Sequence, residues 1–281
     1  MPGPGTIATD LHGHTRYSDG RITPEDYVRV RAGLGLEVIA VSDHDTFAAV
    51  PAAAAAAALA GVTLLPAMEV TSFIHFGTPE AEQIHVLAYF PPGVLASGAL
   101  GRTHLGERAV LATRRWRRFV LDWLASLPME ERYFLDPDGL ATLDGTEFPA
   151  LQRFLDHIMA CSPRSYQPFV RHHVAYWEAD AELFGWQPEE AIEAIRADGG
   201  VDIVAHPVRV RDKARMQRVL AHASGLEVYT SRHKASIAAE FRALAEARGK
   251  LWTASSDDHQ HGAYLAPSEG TPHHTLERLL G

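Results

Sequence analysis

The sequence predicts an α/β fold in which strand–helix units surround a parallel sheet, with a mainly helical subdomain inserted among them. Short apolar runs of β type end just before polar clusters, and helical stretches follow them. This alternation is lost in the middle of the chain, where prolines and aromatic residues are interspersed. With 281 residues, 46% of them hydrophobic, the chain can form one barrel-sized domain or two smaller ones.

The first part of the chain contains repeated strand–helix units. Thr23 is the expected N-cap of a helix that runs to about Gly33. Asp45 or Thr46 can cap the alanine-rich helix that follows, and Gly61 ends it. Buried strands are predicted at 7–11, 36–41, 62–65 and 84–89.

A change of composition marks the insertion. An arginine-rich amphipathic helix at about 106–127 opens it, and helical fragments such as 151–160 follow. We therefore expect a first part of the barrel at 6–95, the helical insertion at 96–187 and a second part of the barrel at 188–281. In that last part helices are predicted at 188–197 and 236–248, and strands at 201–205, 225–229 and 251–254.

Composition excludes several classes of protein. A single cysteine, Cys161, cannot form an internal disulfide, and the first ten residues lack the features of a secretion signal, so we expect a cytoplasmic protein. The alanine run at 52–60 is far shorter than the roughly 20 residues of a membrane helix, so no membrane span is expected. A net charge of -9 argues against binding a long nucleic acid duplex, although bound cations could reverse the sign of a local site.

Histidines and carboxylates collect at the ends of predicted strands. In an extended chain His12 and His14, two residues apart, point to the same side and can converge on one ion. Active sites of parallel α/β barrels are built at the carboxyl ends of strands. Only His85 departs from this position, since it starts its strand. The residues that follow strands are His12, His14, Asp19, His44, Glu69, His206, Asp257 and His259.

This set of side chains predicts an open, catalytic metal site. Imidazole and carboxylate ligands suit zinc, manganese or iron, whereas closed structural zinc sites usually use thiolates. A carboxylate such as Glu69 can bridge two ions about 3.5 to 4 Å apart, and such clusters generate a hydroxide and hold the oxygens of a phosphoryl group. Hydrolysis of a phosphate ester is therefore the expected chemistry.

These motifs resemble those of the PHP (polymerase and histidinol phosphatase) metallophosphoesterases. The resemblance covers roughly the first 95 and the last 95 residues, and it implies a distorted (β/α)7 barrel of TIM-like type with a metal cleft at the strand ends. The motifs are Asp10-Leu-His12-Gly-His14-Thr15 with Ser18-Asp19-Gly20, Val41-Ser42-Asp43-His44-Asp45-Thr46 and Ser256-Asp257-Asp258-His259, with Met68-Glu69, Ile84-His85, Ala205-His206-Pro207 and Gly225-Leu226-Glu227-Val228-Tyr229 between them.

The resemblance also implies two to three divalent ions, manganese, zinc or iron. Nine ligands of the family are present. Carried over residue by residue, the first ion takes His12, His14, Glu69 and Asp257. The second shares Glu69 and adds His85 and His206, and the third takes Asp19, His44 and His259.

Within the family the chain is similar to single-domain members with a helical insertion, which act on 3′,5′-bisphosphonucleotides and on 5′ ends of short RNA. We therefore expect a metal-dependent phosphoric ester hydrolase that cleaves a phosphomonoester or a terminal phosphodiester of a nucleotide-like substrate with a metal-bound hydroxide. Either a metal-bound water or Asp257 is expected to transfer the leaving-group proton. Arg16 and His233 are expected to hold the phosphate, and Ser231 is a further candidate substrate contact.

Two alternatives remain. One is a histidinol-phosphate phosphatase, and the other is a metal-binding module without catalysis. The Arg-Pro-His element that similar members often carry in the insertion is missing from the comparable stretch, 147–157, which leaves the substrate open. The oligomeric state is not indicated by the sequence.

Overall fold

The computed structural model describes residues 5–136, 139–143, 147–260 and 269–281. In this part of the chain the strands are β1 (Thr6–Ile7), β2 (Thr9–Asp10), β3 (Val38–Val41), β4 (Thr63–Ile74), β5 (Glu82–Tyr89), β6 (Val201–Val204), β7 (Gly225–Tyr229), β8 (Leu251–Ala254) and β9 (Thr271–Pro272). Seven of them form one sheet in the order β2-β3-β4-β5-β6-β7-β8, and β1 pairs with β9. The edges of the sheet meet where Gly13 and Asp258 form an isolated parallel bridge, so the predicted barrel is confirmed in a nearly closed form.

The expected purely parallel sheet is wrong at one strand. β5 runs antiparallel to both β4 and β6, while the other neighbours in the sheet are parallel. The physical reason is the connection from Ile74 to Glu82, which is too short for a crossover helix and returns the chain as a hairpin. For the same reason β4 extends well beyond the predicted 62–65, because β5 pairs with it up to Ile74.

The helices surround the barrel and fill the insertion. They are α1 (Pro24–Gly33), α2 (Val50–Ala60), α3 (Gly93–Ser97), α4 (His104–Ser126), α5 (Met129–Leu135), α6 (Leu151–Cys161), α7 (Pro163–His172), α8 (Val174–Ala179), α9 (Ala181–Phe184), α10 (Pro188–Ala197), α11 (Lys213–His222), α12 (Ala235–Ala247) and α13 (His273–Leu280), with 3-10 turns at Leu100–Arg102, Leu140–Thr142 and Pro207–Arg209. None of the helices in the described ranges is long and apolar enough to cross a membrane.

Helix starts follow the predicted caps in one case and not in another. Thr23 Oγ1 accepts a hydrogen bond from the Asp26 amide at 3.1 Å and caps α1 as expected. The predicted capping of α2 by Asp45 or Thr46 is wrong, because α2 begins only at Val50. Asp45 has a φ of 49° and accepts from the Thr71 amide at 3.0 Å, so its carboxylate fixes β4 rather than a helix.

The apolar core lies in separate layers. The barrel interior is filled by side chains such as Leu65 and Tyr89, and α13 contributes Leu276 and Leu279 to the same cluster. Because this cluster also contains Val38, at the beginning of its strand, α13 covers the end of the barrel opposite the strand carboxyl ends. The strand carboxyl ends are thus left for the site.

Helices α4 to α7 have a core of their own. Trp123, Phe154 and Phe169 pack there, with ring centroids 4.7 to 5.9 Å apart. The mainly helical character of the inserted region is confirmed. The division of the chain at residues 95 and 187 stays a prediction.

Candidate metal centre

The structure brings all nine predicted ligands together at one end of the barrel. In each of four groups, one ligand atom from every member lies within 4.8 Å of the others. The groups are His14, Asp19, His44 and His259; His12, His14 and Asp257; His12, Glu69 and His206; and His44, Glu69 and His85. Which of these side chains bind which ion stays a prediction.

Strand direction explains why His85 belongs to this cluster. His85 lies near the beginning of β5 and is paired with Thr71 of β4. Because β5 is antiparallel, its beginning lies at the same end of the barrel as the carboxyl ends of its neighbours. His206 and Asp257 follow β6 and β8 in the expected way.

The backbone around the ligands is tightly constrained. A Cβ added at Gly13, between His12 and His14, would lie 2.5 Å from the Tyr27 hydroxyl oxygen. Two of the predicted ligands have positive φ angles, 27° for His206 and 54° for Asp257. Such conformations cost about 1–3 kcal/mol each and persist where surrounding contacts hold them, which is typical of functional sites.

Glu69 is the centre of the cluster. Its Oε2 lies 3.1 Å from His12 Nε2 and 3.2 Å from His14 Nε2. Its Oε1 lies 2.8 Å from His85 Nδ1 and 3.1 Å from His206 Nε2. A single carboxylate therefore faces imidazoles from several barrel elements, the arrangement expected of a bridging ligand.

Glu227 orients two of these imidazole-bearing segments, a role that the sequence analysis did not assign. The Nδ1–H of His12 donates to Glu227 Oε1 at 2.9 Å, and the His206 amide donates to Glu227 Oε2 at 2.7 Å. A carboxylate on one ring nitrogen leaves the other, Nε2, directed at the cluster, as in many metal sites. The full burial of this glutamate in the middle of strand β7 is visible only in the structure.

The ionisable groups in the cluster shift one another's pKa values. Burial opposes ionisation, yet His12, His44 and His85 hold the pKa of Glu69 well below its usual range. Burial likewise opposes protonation of His14, but Asp19, Asp257 and Glu69 raise its pKa to about 10. Burial lowers the pKa of His44 to about 3. Negative charge thus collects where cations would bind.

The donor atoms present fit a divalent cation. His44 Nδ1, His85 Nδ1 and Glu69 Oε2 are buried and have no hydrogen-bond partner among the residues described. Yet His44 Nδ1 lies only 3.2 Å from Glu69 Oε2. Polar atoms that face each other without hydrogen bonding are the arrangement that a shared cation satisfies, and the nitrogen and oxygen set suits zinc, manganese or iron.

A cleft of about 930 Å³ opens above the cluster. This volume is at the upper end of the range for small-ligand sites. Its floor includes Asp19, Glu69 and Asp257. Its walls are basic and aromatic, with Arg16, Arg21, Arg114, Arg153, Arg209, Arg232, Phe148, Trp116, Tyr176 and Trp177.

Of the three predicted substrate contacts, one lines this cleft. Arg16 is exposed and lines it, whereas Ser231 and His233 are not among the described residues of its wall. His233 donates from Nδ1 to the Val228 carbonyl at 2.8 Å, and burial lowers its pKa. Between them in sequence, Arg232 lines the cleft and donates from Nε to Asp257 Oδ2 at 2.6 Å. The roles assigned to Arg16, Ser231 and His233 stay predictions, and Arg232 was missed.

Only some side chains of the arginine-rich helix face the cleft. Arg114 and Trp116 of α4 line the cleft, while Arg118 points to solvent and pairs with Asp122. Trp123 is buried in the core of the insertion. Trp116 lines the cleft and also packs on Phe169 and Tyr176.

Comparisons with known proteins identify similar chains. The PHP domain family model matches residues 10–121. The 5′-3′ exoribonuclease Rnm of Salmonella typhimurium (strain LT2) is 26% identical over 266 residues, covering 90% of this chain and 86% of that protein. The 3′,5′-nucleoside bisphosphate phosphatase of Chromobacterium violaceum is 24% identical and covers 93% of this chain and 88% of its own.

The fold has a counterpart among solved structures. A protein of Bifidobacterium adolescentis that is described as a metal-dependent phosphoesterase has a TM-score of 0.67 and 22% identity, over 100% of this chain and 97% of that one. At this identity the likeness shows the fold. Together with the family match, it confirms the resemblance to PHP phosphoesterases that the motifs predict.

Proposed function

We propose that this chain, which carries a PHP domain, hydrolyses a nucleotide-like substrate at a phosphomonoester or a terminal phosphodiester. The substrate would be a 3′,5′-bisphosphonucleotide or the 5′ end of a short RNA. The enzyme class predicted from the sequence, a phosphoric ester hydrolase, is confirmed by relatives named exoribonuclease and bisphosphate phosphatase. The observation that carries the proposal is the convergence of nine ligand-type side chains on the floor of a basic cleft.

The chemistry requires divalent metal ions, which the PHP family implies. We propose two or three ions, of manganese, zinc or iron, held by the residues of the four groups around Glu69. When bound, such ions activate water and neutralise phosphoryl oxygens. Asp257 lies at the floor of the cleft and can take part in proton transfer to the leaving group.

Arginines of the cleft supply the donors for a phosphate. Arg16 and Arg232 line the cleft that contains Asp257 and Glu69, and a guanidinium offers a planar fork that matches phosphate oxygens. Arg232 is also oriented by its bond to Asp257 Oδ2. We propose that Arg16 and Arg232 hold the phosphate group that neighbours the one being cleaved.

The aromatic wall favours a nucleotide over a smaller phosphate ester. Trp116, Phe148, Tyr176 and Trp177 line the cleft and all come from the region predicted as the insertion, 96–187. Aromatic rings stack on bases without regard to sequence, at about 1–3 kcal/mol per base. The relatives named for bisphosphonucleotide and RNA substrates cover most of this region as well.

A product analysis tests the proposal. The manganese-loaded protein is incubated with adenosine 3′,5′-bisphosphate, a 5′-phosphorylated tetraribonucleotide and histidinol phosphate, and the products are identified by mass spectrometry. We expect phosphate release from the bisphosphate or stepwise loss of 5′ nucleotides, abolished by a chelator. Cleavage of histidinol phosphate alone would replace the proposal with the smaller substrate, and no cleavage of any ester would favour a non-catalytic module.

A matched pair of variants ties the activity to the cluster. Glu69→Gln removes the central carboxylate. Glu80→Gln makes the same substitution at an exposed glutamate in the same part of the sequence. We expect the first to lower turnover by more than about 100-fold, because even partners outside the metal ligands cost 10–100-fold. Glu80→Gln should leave turnover unchanged. Equal turnover of the two variants would refute the proposed site.

A further inference from the structure

Among the described residues, the barrel closes between β2 and β8 without a ladder of paired strand residues. Outside the named strands the two sides meet at the isolated bridge of Gly13 with Asp258. The Asp257 amide donates to the His12 carbonyl, and the His14 amide donates to the Asp258 carbonyl, both at 2.9 Å. We call this junction, residues 9–14 against residues 254–258, the seam.

Buried side chains reinforce the seam. Asp10 Oδ1 accepts from the Ser256 amide at 2.8 Å, and Asp10 Oδ2 accepts from Ser256 Oγ at 2.8 Å. On the β2 side, Thr9 Oγ1 donates to the Ala254 carbonyl at 3.0 Å. The side chain of Asp10 therefore replaces part of the missing ladder.

Arg31 of α1 joins the two sides through charge. Its Nε donates to Asp10 Oδ2 at 2.8 Å, and its Nη2 donates to Asp258 Oδ2 at 3.3 Å. The side chains of Arg31 and Asp10 are 0% exposed and that of Asp258 is 1% exposed, so this is a fully buried cluster. The guanidinium carbon lies 3.3 Å from the ring centroid of Tyr27. One cation thus pairs with two buried carboxylates from opposite sides of the seam.

The seam also carries predicted metal ligands. His12 and His14 lie on one side of it, and Asp257 lies between Ser256 and Asp258 on the other. Two of the four ligand groups join the two sides of the seam: one contains Asp257, and the other contains His259, which directly follows the seam residue Asp258. The group of His44, Glu69 and His85 has no member on the seam.

We infer that Arg31 is a positioning residue that holds the two halves of the seam-spanning ligand groups in register. The inference rests on the metal centre proposed above. A buried charge network has a cost, and replacing one partner leaves the others unbalanced. Here the imbalance would fall on Asp10 and Asp258, next in the chain to the segments that present His12 and Asp257. Lysine in place of Arg31 keeps the charge but cannot contact both carboxylates with a planar fork.

Manganese titration of the purified full chain tests the inference. Bound Mn²⁺ is counted from the loss of the free-ion signal in electron paramagnetic resonance, for the wild type, Arg31→Lys and Arg29→Lys. Arg29 lies on the same helix, exposed, and pairs with Asp26, so its replacement is a matched control. We expect Arg31→Lys to weaken at least one ion by about tenfold or more, the scale seen for partners of metal ligands. At least one ion should bind as in the wild type, and Arg29→Lys should change nothing.

The outcomes separate this inference from the proposed function. Wild-type protein that binds no manganese would overturn the metal centre itself. Wild-type affinity in Arg31→Lys, or an equal loss for every ion, would overturn the positioning role alone, because a purely structural residue has no reason to act on one class of site. If Arg31→Lys does not fold, Asp10→Asn provides the same comparison, because it removes one charge of the network and keeps its shape.

Discussion

Replacing Gly13 with alanine is expected to disturb both the stability of the barrel and the ligands on either side of it. The added Cβ would lie 2.5 Å from the Tyr27 hydroxyl oxygen and 2.8 Å from its Cε2, where contacts of 3.4 Å or more are ordinary. Tyr27 has no room to withdraw, because it is fully buried and its ring lies under the Arg31 guanidinium. Either the ring or the segment that carries His12 and His14 must move.

The magnitude follows from the contacts that would be lost. Tyr27 donates its hydroxyl to the Ala40 carbonyl at 2.7 Å, and leaving a buried group of this kind unsatisfied costs about 1–3 kcal/mol. Overpacking of a dense core costs a further 1–3 kcal/mol, roughly. We therefore expect Gly13→Ala to lower the free energy of unfolding by about 2–6 kcal/mol.

Urea unfolding of the metal-free protein measures this change. Gly33→Ala is the control, since a Cβ at Gly33 in helix α1 meets nothing within 4 Å and should not destabilise the chain. In a Tyr27→Phe background the hydroxyl contact is absent, so Gly13→Ala should cost less than in the wild type, with a coupling of about 1 kcal/mol. An identical cost in both backgrounds would show that the Tyr27 hydroxyl is not what requires glycine here.

Three further changes have defined outcomes. Glu227→Gln should weaken metal binding by about 10–100-fold relative to exposed Glu240→Gln, and equal affinities would exclude an orienting role. Arg232→Gln should raise the KM for a bisphosphate substrate by about tenfold, or about 1.4 kcal/mol, and an unchanged KM would remove Arg232 from the phosphate site. Hydrogen bonds from Arg215 hold the pKa of Glu189 below its usual value of 4.5, although partial burial acts in the opposite direction. The stability that this pair contributes is present above about pH 4.5 and is lost as the pH falls through the pKa of the folded state. The difference in urea midpoint between Glu189→Gln and the wild type should therefore shrink between about pH 6 and pH 3, and a constant difference would contradict it.

The convergence of the predicted ligands could be expected from the sequence because most of them occupy positions that local rules define. Glu69 lies inside β4, which its pairing with β5 extends, whereas His12 and His14 lie just past the end of β2 and His206 follows β6. Such positions depend only on where apolar runs end, and the chain order of the runs is visible in the sequence. Glu227 was not assigned, because a glutamate in a short strand has no periodic signal that separates a structural role from a functional one.

Which side chains line the cleft is harder to predict from sequence, since this depends on side-chain direction in loops. Ser231, Arg232 and His233 are consecutive, and only the middle one is among the described residues that line the cleft. The loop after β7 turns between them, with the His233 amide donating to the Thr230 carbonyl at 3.0 Å. Local sequence cannot indicate which of three adjacent side chains such a turn directs inward.

The direction of β5 is the clearest case of a global feature that local patterns miss. An apolar run at 84–89 predicts a strand equally well in either direction, and only the short connection from Ile74 decides it. Reversal of the strand carries His85 from the far end of a parallel barrel to the end where the other ligands lie. Its Nδ1 then comes within 2.8 Å of Glu69 Oε1. A histidine at the start of a strand would be evidence against a shared site in a fully parallel barrel, whereas here the hairpin makes that position part of it.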